Sequence, residues 1–400
     1  MYGLLMANAV SLFGTRLSMI AIPWFVISST GSPALTGVVA AAQMGPYVIA
    51  KALAGPLIDR LGPRRVVVAA DIASGVSVAV IPVLYLLDTL EIGVLIGAVA
   101  ILGAVSGPAD GGKSALIPIV ADDARVPLER ITGLDGTIER LATTLGAAGA
   151  GTLVALIGAI PALWVTTVTF IAAALVIAAT TPRAILSSDG QTYLADLRAA
   201  LVFIGRDRLL RSLYAMISVT NLLDAALFAV LLPVWAHETG YGPAVIGLLS
   251  GGFGGAAICS SLLAAAIGHR LPRRMTYLLG FLITGLPRFV VLAIDVPLPV
   301  AVATFAIAGL GSGVLNPILG AVIFERIPRA AVGRVSAMGS SLAWIGIPFG
   351  SIAGGALITA SGLAAAMLIC GIVYFAVTTV PGLQREWREM DVRAGRNDSG

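Results

Sequence analysis

Charged side chains are scarce in this sequence: 12% of its 400 residues are Asp, Glu, Lys or Arg, against 58% hydrophobic. A water-facing surface needs about 25% charged residues, so most of this chain's exterior must face something apolar. Cysteine is nearly missing. Cys259 and Cys370 both lie inside apolar runs without a CxxC spacing, which reads as small packing residues rather than a disulfide or a metal site. The two histidines, His237 and His269, stand near predicted helix ends and form no ligand constellation. No GxxxxGKS or GxxxxGKT nucleotide loop occurs, nor HExxH or GxSxG, so ATP-driven chemistry and the common hydrolase constellations are not expected. No enzyme activity, metal or cofactor is predicted.

What the chain does have is long apolar runs, with a mean hydropathy of +0.97. A hydrocarbon core about 30 Å thick is crossed by roughly 20 apolar residues of helix. Twelve runs of that kind fall at about 4–28, 34–57, 66–87, 92–118, 131–158, 160–180, 209–236, 243–267, 275–293, 298–324, 334–360 and 363–383. The first lacks a basic leader and a cleavage site, and reads as a span rather than a signal peptide. The net charge of +4 does not indicate nucleic-acid binding, because the basic residues sit in short loops between apolar runs. Twenty of the 25 basic residues occupy one set of loops and the C-terminal tail. The opposite loops hold none, and carry Asp88, Glu91, Glu238 and Asp295. The positive-inside rule then predicts both termini in the cytoplasm of a multi-pass protein of the cell (inner) membrane.

An internal repeat appears at an offset of about 204 to 210 residues. Leu145–Gly158 aligns with Phe349–Gly362, and Arg125 and Arg130 upstream meet Arg329 and Arg334. Pro23, Pro33 and Gly37 meet Pro233, Pro243 and Gly247. The series Gly37, Ala41, Gly45 meets Gly247, Gly251, Gly255, a small-xxx-small spacing that lets helix backbones approach. Arg64-Arg65 meets Arg273-Arg274. Span one thus corresponds to span seven, two to eight, and five to eleven. The expected organisation is a six-helix bundle over 1–181, a linker over 182–208, a second bundle over 209–384 and a tail over 385–400. In the linker, the turn-like Ser187–Gly190 precedes an amphipathic segment from Tyr193 to Arg208 that suits a cytoplasmic interfacial helix.

Between spans two and three, Gly55-Pro-Leu-Ile-Asp59-Arg60-Leu-Gly62-Pro-Arg64-Arg65 resembles the G-x-x-x-D-R-x-G-x-R-R loop of the major facilitator superfamily. Gly62 would permit a tight turn and Asp59 would meet a helix N-terminus or a basic partner. The second copy, Gly268-His-Arg-Leu-Pro-Arg273-Arg274, lacks the aspartate. The segments Ala21-Ile-Pro-Trp, Thr30-Gly-Ser-Pro, Leu116-Ile-Pro118 and Leu231-Leu-Pro233 look like the macrolide-efflux and enterobactin-exporter branch. In span five, Gly133, Ala142, Gly146, Ala147, Ala150 and Gly151 are similar to the antiporter signature, with alanine at several of its glycine positions and at its proline. The arginine-bearing signature of span four found in many drug–proton antiporters is absent. The resemblance implies an all-α membrane fold of twelve helices in two pseudo-symmetric bundles, and a monomer. It also implies secondary active transport, with protons as the coupling ion.

Charge inside a span costs roughly 2.5–3.5 kcal/mol on insertion scales, so each such residue is a candidate site. Arg16 must lie within the membrane, since a span starting after it would have only the 13 residues from Leu17 to Ser29 before Thr30-Gly31, too few to cross. It reads as a cavity group for an anionic substrate or a gate, or as a structural pair. Asp224, midway along span seven and close to Arg16 in the repeat, is expected either to pair with Arg16 in at least one transport state and be a protonation candidate supported by Asn221 one turn away, or to be a helix-packing carboxylate. Asp135 and Glu139 share a face of span five and, with Asp110 and Lys113, form either a cytoplasmic gate or static pairs joining spans four and five. Asp71 is expected to pair with the Arg64-Arg65 loop and Arg288 to snorkel outward. Lys51 either snorkels or lines the cavity. Gln43, Tyr47, Phe228, Trp235 and Trp344 are possible lining residues. The expected function is proton-coupled export of lipophilic drug-like or siderophore-like compounds. The alternatives are an ion-coupled importer or a membrane receptor or scaffold that transports nothing.

Overall fold

In the computed structural model the chain is all helix. The structure describes residues 1–182, 193–267, 272–294, 296–328 and 332–384, with Trp387 and Met390. The turn at 187–190, the start of the second loop copy at 268–271, and the expectations for Arg183, His269, Asp295, Arg329 and the charged tail lie outside them. Twelve helical segments are long and apolar enough to cross a membrane, and this is a multi-pass membrane protein. The first six spans are α1 (Tyr2–Thr30), α2 (Pro33–Leu61), α3 (Pro63–Leu86), α4 (Ile92–Ala124), α5 (Leu128–Ile157) and α6 (Ala159–Thr180). An amphipathic helix, α7 (Tyr193–Arg206), precedes the second set.

The second set is more broken. Span seven consists of α8 (Arg208–Ala226), a π-helical turn (Leu227–Leu231) and α9 (Leu232–Glu238). Span eight is α10 (Pro243–Ile267). Span nine is α11 (Arg273–Thr284) and α12 (Leu286–Ala293), interrupted at Gly285. Span ten is α13 (Leu298–Arg326), span eleven α14 (Val332–Trp344) and α15 (Ile347–Ser361), and span twelve α16 (Leu363–Leu383). Each span lies within a few residues of its apolar run; the largest shift is in α4, which continues past 118 to Ala124.

Local chemistry sets the boundaries. Gly31 closes α1 in the left-handed region, and the Ser32 hydroxyl accepts the Leu35 N–H at 3.2 Å to open α2, with Pro33 at its first turn. Gly62 joins α2 to α3 at φ 84, a conformation that a Cβ would strain. The repeat partners Gly158 and Gly362 do the same between spans five and six and spans eleven and twelve, at φ 88 and 82. Asp207 caps α8, accepting the N–H groups of Leu209 and Leu210 at 2.9 and 3.0 Å and a 2.8 Å bond from Arg326. Burial alone would raise its carboxyl; the Leu210 N–H, Arg326 and the Leu209 N–H outweigh that and hold it below the ordinary carboxylate value.

Within each half, helices pack through buried apolar side chains such as Leu17, Ile22, Val99 and Phe170 in the first, and Phe289 and Phe305 in the second. The outer faces leave Leu156, Val168 and Leu262 exposed, as a lipid-facing surface requires. At the base of the second half Trp387 is fully buried, its ring tilted against that of Tyr277 with centroids 4.8 Å apart, and donates from Nε1 to the Ser212 hydroxyl at 3.1 Å.

Candidate functional site

The two halves meet backbone to backbone at glycine crossings toward one end. A Cβ on Gly151 of α5 would lie 2.7 Å from the backbone N of Gly247 of α10, and one on Gly251 would lie 2.8 Å from the Ala148 methyl. The repeat-related crossing of α2 on α15 is as tight: a Cβ on Gly355 would stand 2.6 Å from the Pro33 carbonyl, and one on Gly37 would strike the Ser351 carbonyl. Trp24 and His237 meet edge to face at 6.0 Å on the same end. These small residues are why the backbones touch, and they are the residues the repeat aligned. At the opposite end, toward the termini, a Cβ on Gly133 or Gly136 of α5 would meet nothing within 4 Å.

Between the halves lies a cavity of about 680 Å³. Its wall is largely apolar, from Met19, Ile20, Phe228, Phe253 and Ile258, with Gln43 and Asn316 as neutral amides. Three charged residues line it: Arg16 on α1, and Glu139 and Arg140 on α5. The Arg16 stem rests on Gly146, where a Cβ would sit 3.4 Å from its Cγ. Its Nη2 donates to the Thr143 hydroxyl at 2.9 Å and its Nη1 to the Met19 sulfur at 3.7 Å. Arg140 donates to the Ser261 hydroxyl across the interface at 3.1 Å. Asp135 lies nearer the termini and accepts from Asn8 at 2.7 Å.

A smaller chamber of about 340 Å³ shares Phe253, Ser312 and Asn316 with the main cavity and is also lined by Asn221 and Asp224. Asp224 does not meet Arg16; its Oδ1 accepts from Arg288 Nη2 at 2.8 Å. Nor does Arg288 snorkel, since it is fully buried with its guanidinium 5.0 Å from the Phe253 ring centre. The interruption at Gly285 turns the start of α12 inward, and Arg288 Nε bonds the Thr284 carbonyl left free there. Asn221 is held by its own bond to the Ala343 carbonyl at 2.8 Å.

Asp71 likewise finds a different partner. Lys113 Nζ stands 3.0 Å from its Oδ1 and 2.6 Å from the Ser11 hydroxyl, all three buried. Lys113 therefore ties span four to spans three and one, not to span five. Asp110 accepts from the Tyr47 hydroxyl at 2.6 Å on span two. Lys51, half-exposed, stands 4.0 Å from Asp110 and 4.4 Å from the centre of the Trp344 ring, so it bridges to the other half rather than snorkelling. Tyr47 and Trp344 stack at 6.0 Å beneath it. Trp235 is buried beside Tyr241 and does not line the cavity. Phe253, Ser261 and Asn316 escaped the sequence reading; only Asn316, an amide within an apolar span, carried a signal.

In the loop after α2, Arg64 donates to the Ala178 carbonyl at the end of α6. Among the described residues Asp59 has neither hydrogen bond nor ion pair, and it lies four residues before the start of α3 at Pro63. Gly55, Arg60 and Arg65 stand at the same end. In span five the small positions divide in use: Gly146 seats Arg16, while Ala147 and Gly151 meet Gly247. Ala150 is buried, Ala142 half-buried, and Gly133 lies beyond the crossing.

Twelve spans in two repeated halves around a charged central cavity define a membrane carrier of small molecules. Residues 4–220 and 214–385 each match the Major Facilitator Superfamily, and the chain belongs to it. It is a secondary transporter of small molecules. Among its relatives, "Multidrug efflux pump Tap" of Mycobacterium tuberculosis is 30% identical over 397 residues, covering 97% of this chain and 94% of that protein. The Tap pump of Mycolicibacterium fortuitum is 29% identical over 394 residues, covering 95% and 94%. Among solved structures, the nucleoside transporter NupG superposes with a TM-score of 0.75 at 14% identity, covering 95% of this chain and 97% of that one, a likeness of fold.

Proposed function

We propose that the protein is a proton-driven exporter of lipophilic drug-like or siderophore-like compounds, with both termini in the cytoplasm. The cavity carries this reading. Its volume of about 680 Å³ suits a drug-sized molecule, its wall is mostly apolar, and the halves cross backbone to backbone at the end away from the arginine-rich loops. That is the geometry of a carrier ready to load from the cytoplasm. Similarity to pumps whose name specifies multidrug efflux supports the direction. Residues 1–181 and 209–384 would rock as two bundles about the glycine crossings, joined by 182–208, with the protein acting as a monomer. Asp224, paired with Arg288 but partly exposed to the side chamber, and Glu139, open to the main cavity, are the groups best placed to carry the proton.

Inverted vesicles test the reading. Energisation should drive accumulation of a lipophilic dye, and a protonophore should collapse it. Accumulation in right-side-out vesicles instead would identify an importer.

A further inference from the structure

We infer that Arg16 is an anion receptor, and that the ligands of the central cavity include amphiphiles carrying one oxyanion, a carboxylate or sulfonate, on an apolar body. This names the substrate class of the cavity to which the transport reading above assigns the cargo.

Of the four other cations that lie away from the span ends, three have a carboxylate within 4.0 Å: Lys113 with Asp71, Arg288 with Asp224, and Lys51 with Asp110. The fourth, Arg140, sits exposed near the open end on Ser261. Arg16 lies deeper and has no carboxylate within that distance among the described residues. Its polar contacts are a threonine hydroxyl and a thioether, neither of which carries charge, and its Nε is buried with no partner. A guanidinium held in the membrane interior without a counter-ion favours any anion that reaches it. Its planar fork matches the paired oxygens of a carboxylate or sulfonate. Gly146 and Thr143 fix the stem and one nitrogen, so the group is oriented before the ligand arrives. The surrounding wall, Ile20, Phe228, Phe253 and Ile258, offers an apolar bed for the rest of the molecule.

Other charges bear on this site. Glu139 shares its wall, and the Thr143 hydroxyl that accepts from Arg16 donates to the Glu139 carbonyl at 2.8 Å. Arg140 lies beside Glu139 on α5, and the Tyr47–Asp110–Lys51 cluster approaches from α2 and α4. The Glu139 carboxylate repels an incoming anion and competes with it for Arg16.

A matched pair of fluorescent probes tests the inference: anilinonaphthalene sulfonate and its uncharged parent, N-phenylnaphthylamine. Binding to the purified full chain in nanodiscs is compared with empty discs. The sulfonate should bind about tenfold more tightly than its parent, the worth of a charge-assisted hydrogen bond. Arg16→Gln should erase that advantage and leave the parent unchanged, Arg16→Lys should keep part of it, and Glu139→Gln should increase it. Equal binding of the two probes to the unaltered protein overturns the inference, and needs no variant to fold. Equal weakening of both probes by Arg16→Gln also overturns it, leaving Arg16 a packing residue. Arg16-dependent binding of the sulfonate without energised accumulation of any dye would sink the export reading and leave the anion site standing.

Discussion

In each half a carboxylate–cation pair links neighbouring spans, and the two pairs sit in different surroundings. In the first half Lys113, Asp71 and Ser11 join three uninterrupted spans, and the lysine and aspartate side chains are 6% and 2% exposed. In the second, Arg288 is sealed while the Asp224 side chain is 32% exposed toward a chamber. The helices carrying that second pair are broken beside it, span seven by the π turn at Leu227–Leu231 and span nine at Gly285. Their counterparts, spans one and three, run through without a break. A closed pair in continuous helices braces a bundle, whereas an open pair at a break can change partner and protonation.

The largest effect is expected in the closed pair. Asp71→Leu leaves the Lys113 ammonium buried and uncompensated, and should cost about 3–5 kcal/mol in thermal unfolding of the detergent-solubilised protein. Adding Lys113→Leu should restore most of that loss. If the single variant is as stable as the parent, the bracing role is wrong.

Next come the crossings that hold the halves together at one end. Gly151→Leu drives a side chain into the Gly247 backbone and should disfavour the closed end by about 1–3 kcal/mol. Cysteine labelling of the sealed face would then increase; unchanged labelling would dissociate the crossing from the gate.

In the open pair, Asp224→Asn retains an acceptor for Arg288 and should cost only about 1 kcal/mol of stability. Proton dependence of transport should nevertheless disappear. If uptake into inverted vesicles stays proton-dependent, Glu139 becomes the carrier to test.

The smallest effect concerns Asp207 at the entry to span seven. Its folded carboxyl is held below the unfolded value of about 3.9, so its contribution is complete above that pH and is lost as acidity passes the lower folded value. Asp207→Asn keeps a capping side chain and should cost about 0.5 kcal/mol near neutrality. It should also flatten the loss of stability below pH ~4.

Sequence alone made the twelve spans legible, because a bilayer imposes length and apolarity on every crossing. It also placed the small residues at both inter-half contacts, since a repeat forces equivalent helices into equivalent crossings. The charge pairs were not legible. Arg16 and Asp224 share a depth by repeat register, but register says nothing about azimuth, and they face different spaces. Arg288 lies near enough to a span end to snorkel in a straight helix; the break at Gly285 redirects it. Asp71 and Lys113 lie 42 residues apart on neighbouring spans, a separation with no local signature.

Trp387 bears on how the protein can be handled. It plugs the gap between Ser212 and Tyr277, at the feet of the two spans that hold Asp224 and Arg288. An affinity tag that replaces the chain from Leu383 onward would withdraw that plug, and purified material could then load dye while its proton dependence drifted. A truncation should therefore retain Met390, which is buried and whose carbonyl accepts from Arg273.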